Sequence, residues 1–370
     1  MSAGWGRGAA AAVAVALVFT LGLPATAAGA TEAPSDRRWR TLLDHAAQAA
    51  EETPYVGESL WVTYEGNEPS VSTFLVRSSG DGEISVTDRS RLAVRLGDDG
   101  GSLADHERNW FFPLPAADLA KAHKGLDRLA GKYDVVVLSS ESLLDRPCTR
   151  LEIRRESDGA LMERLWVDDA SRLLLRRETY DAAGELLRMV AYLKLDLKPE
   201  GRAAEEVRAT RGQRPSQERR EQDITEVDEV GRAALRDAGW TLPNELPGDY
   251  ATEGSFAVSA GETQPLQTVY SDGLYTVSLF EQRGSLDPAA LPEGAIVSST
   301  YGFPAYTWPG AVPTRVVWEA NGTTWSLVGD APPDQMREMT AALPRPTQDG
   351  FADRMQRGLG RLWSWVSPWS

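Results

Sequence analysis

Apolar residues recur at every second position over most of this chain, with a few stretches where they recur at every third or fourth. The first of these is 37–52, where Trp39, Leu42, Leu43, Ala46, Ala47 and Ala50 share one face. That spacing predicts a helix, and Thr53-Pro54 ends it. The period then changes to two. Residues 57–66, 70–78, 82–88 and 91–97 alternate and are rich in Val, Thr, Tyr and Phe, with Gly80-Asp81-Gly82 as a hairpin turn. Residues 98–133 are less regular, with a short helix expected near 116–130. Strand signals resume at 134–140, 148–156, 160–168, 172–180 and 185–197, joined by Asp- and Gly-rich turns. A meander of this kind with few helices predicts an α+β fold built on one large curved antiparallel sheet.

Residues 198–223 carry many charges and no aromatic, a composition that cannot bury a core, so a charged flexible linker is expected over 198–225. A short helix is expected at 226–238. Seven strand signals follow, at 253–259, 266–271, 274–282, 295–300, 304–308, 314–320 and 323–329. Asn321-Gly322, between the last two, is a strong hairpin signal. Pro332-Pro333 opens a final helix over 333–343. The expected organisation is therefore a half-barrel domain over 36–197 and a smaller antiparallel sheet domain with a helix over 226–345.

The two ends carry different patterns. Residues 9–23 form an apolar core after a single Arg7, and Pro24, Ala25-Thr26-Ala27 and Ala28-Gly29-Ala30 follow. This reads as a cleaved export signal over 1–30, with retention as a membrane anchor as the alternative. At the other end, 346–370, Phe351, Met355, Leu359, Leu362 and Trp363 recur at helical spacing, Trp365 and Trp369 follow, and Arg354, Arg357 and Arg361 add positive charge. That is the pattern of an amphipathic segment that docks on a membrane surface or on a partner.

Composition narrows the chemistry. The formal charge of −15 argues against nucleic acid, which needs a concentrated basic face. One cysteine, Cys148, allows neither an internal disulfide nor a Cys-rich zinc site, and there are only three histidines. No HExxH, GxSxG or Gly-rich phosphate loop is present, so no catalytic residue, cofactor or metal is assigned. Cys148 reads as a packed thiol, and Asp168-Asp169 as solvated turn acids.

Three stretches are distinctive: ERLWVDDASRLLLRRETYDAAG (163–184), YDVVVLSSESLLDRPCTRLEIRRESDG (133–159) and QTVYSDGLYTVSLFEQRG (267–284). With the helix that ends in Thr53-Pro54-Tyr55-Val56-Gly57, they resemble the MucB/RseB family of exported regulators of anti-sigma factors. The resemblance implies an N-terminal domain like that of LolA/LolB lipoprotein carriers, in which a curved half-barrel sheet wraps around helices and leaves an apolar hollow. It implies a second domain that helps grip the extracytoplasmic part of a membrane-spanning anti-sigma factor. It also implies shielding of that factor from proteolysis, release by a lipid or lipoprotein signal, a place outside the cytoplasm, and no enzymatic activity. The alternative on the same fold is a lipid or lipoprotein carrier. Candidate hollow-lining residues are Trp61, Phe74, Trp110, Phe111, Phe112 and Trp166. Candidate partner-binding residues are Tyr270, Tyr275, Phe280, Tyr301, Tyr306 and Trp308.

Overall fold

The alternating stretches become strands of two antiparallel sheets in a computed structural model that describes residues 34–346, apart from 66–67, 83, 88–91, 98–99, 106–109, 115–121, 202–203, 206–223, 259–264, 293 and 310–312. The export signal, most of the charged linker and nearly all of the Trp-rich tail lie outside the described residues.

Helix α1 (Pro34–Glu52) leads into β1 (Pro54–Glu65), β2 (Glu68–Ser79), β3 (Ile84–Thr87), β4 (Leu92–Gly97), β5 (Gly100–Asp105) and β6 (Trp110–Leu114). Helix α2 (Ala122–Lys132) then precedes β7 (Tyr133–Leu143), β8 (Arg146–Arg155), β9 (Leu161–Asp168), β10 (Leu174–Tyr180) and β11 (Leu186–Asp196). Together they form an eleven-stranded sheet in the order β6-β5-β4-β3-β2-β1-β11-β10-β9-β8-β7. Two meanders thus lie side by side, joined where Leu60 pairs Ala191 and Trp61 pairs Val190. The irregular stretch 98–133 differs from expectation, since it holds two further strands, β5 and β6, and its helix starts at Ala122.

The second sheet contains β12 (Ile224–Glu226), β13 (Glu245–Leu246), β14 (Tyr250–Val258), β15 (Leu266–Ser271), β16 (Thr276–Arg283), β17 (Ile296–Ser298), β18 (Ala305–Thr307), β19 (Thr314–Ala320) and β20 (Thr323–Gly329). Its order is β12-β14-β15-β16-β20-β19-β18-β17, with β13 on β14. β12 falls where linker was expected, because Ile224 and Glu226 pair with Val258 and Phe256. Helix α3 (Glu229–Asp237) starts at Asp228, whose carboxylate accepts the Gly231 N–H at 2.7 Å, a side-chain N-cap. Helix α4 (Pro333–Ala342) closes the described chain. At the β19–β20 turn Asn321 and Gly322 have φ of 54° and 74°, as a two-residue hairpin of that sequence requires.

The apolar stripe of α1 lies on one face of the first sheet, so Trp39, Leu42 and Leu43 pack with Leu151, Ile153 and Leu165. The same cluster continues into the second sheet through Tyr250, Tyr275, Val277, Trp318, Leu327, Met336 and Met339. One apolar core therefore serves both sheets. Burying it supplies the main driving force for folding, at about 25 cal/mol per Å² of apolar surface.

Candidate functional site

Along β1 and β2, strand alternation sets Tyr55, Gly57, Ser59 and Trp61 on the face that also carries Phe74 and Val76. Trp61 and Phe74 are buried and meet edge to face at 5.2 Å. The Trp61 indole N–H donates to Ser59 Oγ at 2.9 Å, so the ring is held by a polar handle as well as by packing. Gly57 is glycine for a steric reason, since a Cβ there would lie 2.5 Å from the Tyr192 ring. The ring stands over that gap, and the Tyr192 hydroxyl donates to the Tyr55 hydroxyl at 3.1 Å. Burial pushes the Tyr55 phenol up to about 12, so both tyrosines stay neutral hydrogen-bonding groups.

Between α1 and this face is a cavity lined by Ala46, Ala47, Ala50, Tyr55, Leu173, Leu174 and Tyr192, with a volume of about 20 Å³. That holds about one water. In this conformation the helix closes directly onto the sheet.

Trp166 belongs to the same buried cluster as Trp61 and Phe74, together with Tyr55, Cys148, Leu173 and Leu175. Its backbone pairs with Arg150 on β8 and Arg176 on β10. There it is buried by its neighbours, with the Arg176 guanidinium 5.0 Å from its ring centroid and its N–H bonded to Glu141 at 2.9 Å. Trp110, Phe111 and Phe112 fall on β6, whose side chains are outside the described residues.

Where the two sheets meet, charged groups are sequestered. Arg177 on β10 forms a two-pronged pair with Glu163 on β9, at 2.7 and 2.6 Å, and Thr179 Oγ1 donates to the same carboxylate at 3.1 Å. Arg177 also lies 3.7 Å from Asp330, which follows β20 in the second sheet. The backbone carbonyl of Asp330 accepts from Arg188 on β11, and its carboxylate accepts the Thr276 N–H at 2.7 Å. All four charged side chains are buried. Burial pushes the Asp330 carboxyl above its ordinary range, and Arg177 and Arg188 oppose that rise. A second clamp lies beside it. Asp272 accepts from the Tyr133 hydroxyl at 2.6 Å and pairs with Lys132, while Arg128 pairs with Glu253. Isolated carboxylates at this depth would be costly, and the arginines and N–H groups make it tolerable.

The second-sheet aromatics divide in two. Tyr270 and Tyr275 are fully buried, and Tyr301 and Trp308 nearly so. Tyr270 donates to Pro243 O at 2.8 Å, and Trp308 to Pro292 O at 3.2 Å. These four rings pack internally rather than stand out as a contact surface: Tyr270, Tyr275 and Tyr301, the last from the β17–β18 connection, belong to the common core, and Trp308 lies under the 284–292 connection. Phe280 and Tyr306 are half-exposed on the other face of the sheet.

Asp168 also departs from expectation. It is fully buried and accepts from Arg146 at 3.0 and 2.8 Å and from the Ser171 N–H at 2.6 Å. Burial alone would raise its carboxyl, but Arg146 and Ser171 hold it below the ordinary value. It is a turn-locking ion pair, not a solvated acid. Cys148 is buried, as a packed thiol should be.

Residues 106–216 match the family model of the MucB/RseB N-terminal domain. The MucB/RseB resemblance read from the sequence is thereby shown over that stretch. Among curated proteins no sequence match is found. Among solved structures the chain is similar to MucB in complex with MucA(peri), at 16% identity, covering 83% of this chain and 98% of that one, with a TM-score of 0.47. It is similar to the Pseudomonas aeruginosa MucA/MucB complex at 16% identity, covering 85% of this chain and 99% of that one, with a TM-score of 0.46. It is also similar to the Mycobacterium tuberculosis lipoprotein LppX, at 13% identity, covering 45% of this chain and 99% of that one, with a TM-score of 0.29.

Proposed function

We propose that this chain is an exported negative regulator of an extracytoplasmic-function sigma factor pathway. It binds the extracytoplasmic part of a membrane-spanning anti-sigma factor at the outer face of the cytoplasmic membrane and shields it from proteolysis. The observation that carries this reading is the MucB/RseB family match over 106–216, since MucB has been solved bound to MucA(peri). The physics of the chain suits the role. A core shared by two sheets presents a large surface, and the charged groups of their junction are mostly paired within the chain, Glu163 with Arg177 and Asp330 with the Thr276 N–H.

A lipid-like signal that releases the partner would act at the face beneath α1, where Trp61, Phe74, Tyr55 and Tyr192 gather. With about 20 Å³ free there, an acyl chain enters only if α1 parts from the sheet. That coupling of entry to helix movement is a physical route for release. The Trp-rich tail, with Trp363, Trp365 and Trp369 beside Arg357 and Arg361, is proposed to dock on the membrane or on the partner.

The test is capture. Residues 31–370 are immobilised and exposed to detergent-solubilised membranes of the chain's own host, and retained proteins are identified by mass spectrometry. Enrichment of a single-span anti-sigma factor is expected. Retention of lipids or lipoproteins alone would overturn the regulator reading in favour of a carrier.

A further inference from the structure

We propose that the junction between the two sheets is an acid-tightened lock: the Asp330 carboxyl holds a proton while the sheets are packed and gives it up when they part. A fall in pH then favours the packed arrangement, and a rise loosens it. The inference concerns the fold itself and stands apart from the regulator reading.

The neighbours of Asp330 make it the titrating group. It follows β20 and is fully buried where the sheets meet. One carboxylate oxygen accepts the Thr276 N–H at 2.7 Å. The other, Oδ2, has no hydrogen-bond partner among the described residues. The Arg177 guanidinium lies 3.7 Å from Oδ2, but it is committed to Glu163 through two bonds. Arg188 also reaches Asp330, yet it donates to the main-chain carbonyl.

The charged and titratable groups around Asp330 come from both sheets. From the first, β9, β10 and β11 present Glu163, Arg177 and Arg188; from the second come Asp272, just past β15, and the Tyr250 phenol on β14. Glu163 receives three bonds, two from Arg177 and one from Thr179. Asp272 receives the Tyr133 hydroxyl, Lys132 and the Leu274 and Tyr275 N–H groups. Those two carboxylates are compensated where they stand, whereas Asp330 has a single N–H. A buried charge so thinly compensated is relieved by a proton. Burial accordingly raises the Asp330 carboxyl, Arg177 and Arg188 oppose the rise, and Asp272 adds to it. Burial raises Glu163 in the same direction, against the pull of Arg177.

The sign follows from linkage. A carboxyl raised in the packed state binds its proton more tightly there than in the open one. Its stabilising share is fully present below the ordinary value and is lost as pH rises through the packed-state value. Each unit between the two values is a tenfold shift in the packing equilibrium. Asp168 is lowered and so has the opposite sign, which is why only a difference between variants isolates Asp330. For a chain placed outside the cytoplasm, the surrounding pH sets how firmly the two sheets share their core.

The test uses residues 31–370. Melting temperature is measured against pH for the wild type and for Asp330→Asn, which removes the titration with little change in size. The wild-type value minus the variant's is expected to fall as pH rises from about 4 and then to level off. A difference that is flat, or that grows with pH as a well-paired carboxylate requires, overturns the inference. A second readout needs no change at Asp330. The Thr276 amide donates to this carboxylate, so its nuclear magnetic resonance shift follows the protonation. Its midpoint is expected above the ordinary carboxyl value of about 3.9, and a midpoint at or below that value overturns the inference. Hydrogen exchange, corrected for intrinsic rate, then separates a lock from a general loss of stability. The opening constant of the Thr276 amide is expected to rise with pH while that of Trp325, within β20, does not. An equal rise at both positions overturns the lock.

Discussion

Replacing Arg177 with Met keeps most of the side-chain volume and removes the cation that Glu163 and Asp330 share. Arg177 is bonded to Glu163 at 2.7 and 2.6 Å and lies 3.7 Å from Asp330, all three being nearly or fully buried. Removing one member of a buried pair leaves its partner charged and unpaired, which costs about 3–5 kcal/mol. With a urea slope of about 2 kcal/mol per M, the unfolding midpoint should fall by about 1.5–2.5 M. Tryptophan fluorescence and far-ultraviolet circular dichroism should report one coincident transition, since the apolar core runs through both sheets. Glu163→Gln in the Arg177→Met background should recover part of the loss, with a coupling of about 1–3 kcal/mol in the double-mutant cycle. A cost for Arg177→Met below about 1 kcal/mol, or a coupling near zero, would refute the claim that the charges at the junction act as one unit.

Three further outcomes follow from the geometry. Asp168 is held below its ordinary pKa, so its stabilising share is present above that ordinary value, about 3.9, and is lost as pH falls through and below it; Asp168→Asn should lower stability at pH 7 and flatten the acid limb of a melting-temperature profile. Gly57→Ala forces a Cβ to 2.5 Å from the Tyr192 ring, so it should lower the melting temperature measured by calorimetry. Phe74→Ala removes a 3%-exposed ring from the Trp61 contact and should cost about 3–5 kcal/mol in urea unfolding.

The legible parts of the fold were those whose signal is local. Residues 266–271, 314–320 and 323–329 are strands with the expected bounds, because strict alternation met clear turn chemistry at Asn321-Gly322. β5 and β6 were not legible, since Gly100-Gly101 and Pro113 dilute strand signals that pairing partners then override. The pairing of β1 with β11 joins residues more than a hundred positions apart, and no periodicity encodes it. The junction was hidden for another reason: Glu163, Arg177 and Arg188 occupy strand positions where charge reads as solvent exposure, yet a second sheet covers them. Tyr270 and Tyr275 looked like contact residues because an aromatic at a strand position carries the same signal whether it faces a core or a partner.

The most direct measurement is isothermal titration calorimetry of residues 31–370 with the purified extracytoplasmic segment of the anti-sigma factor retained from the host's membranes. The account predicts saturable one-to-one binding. Absence of any binding heat across temperatures, with both proteins folded, would contradict it.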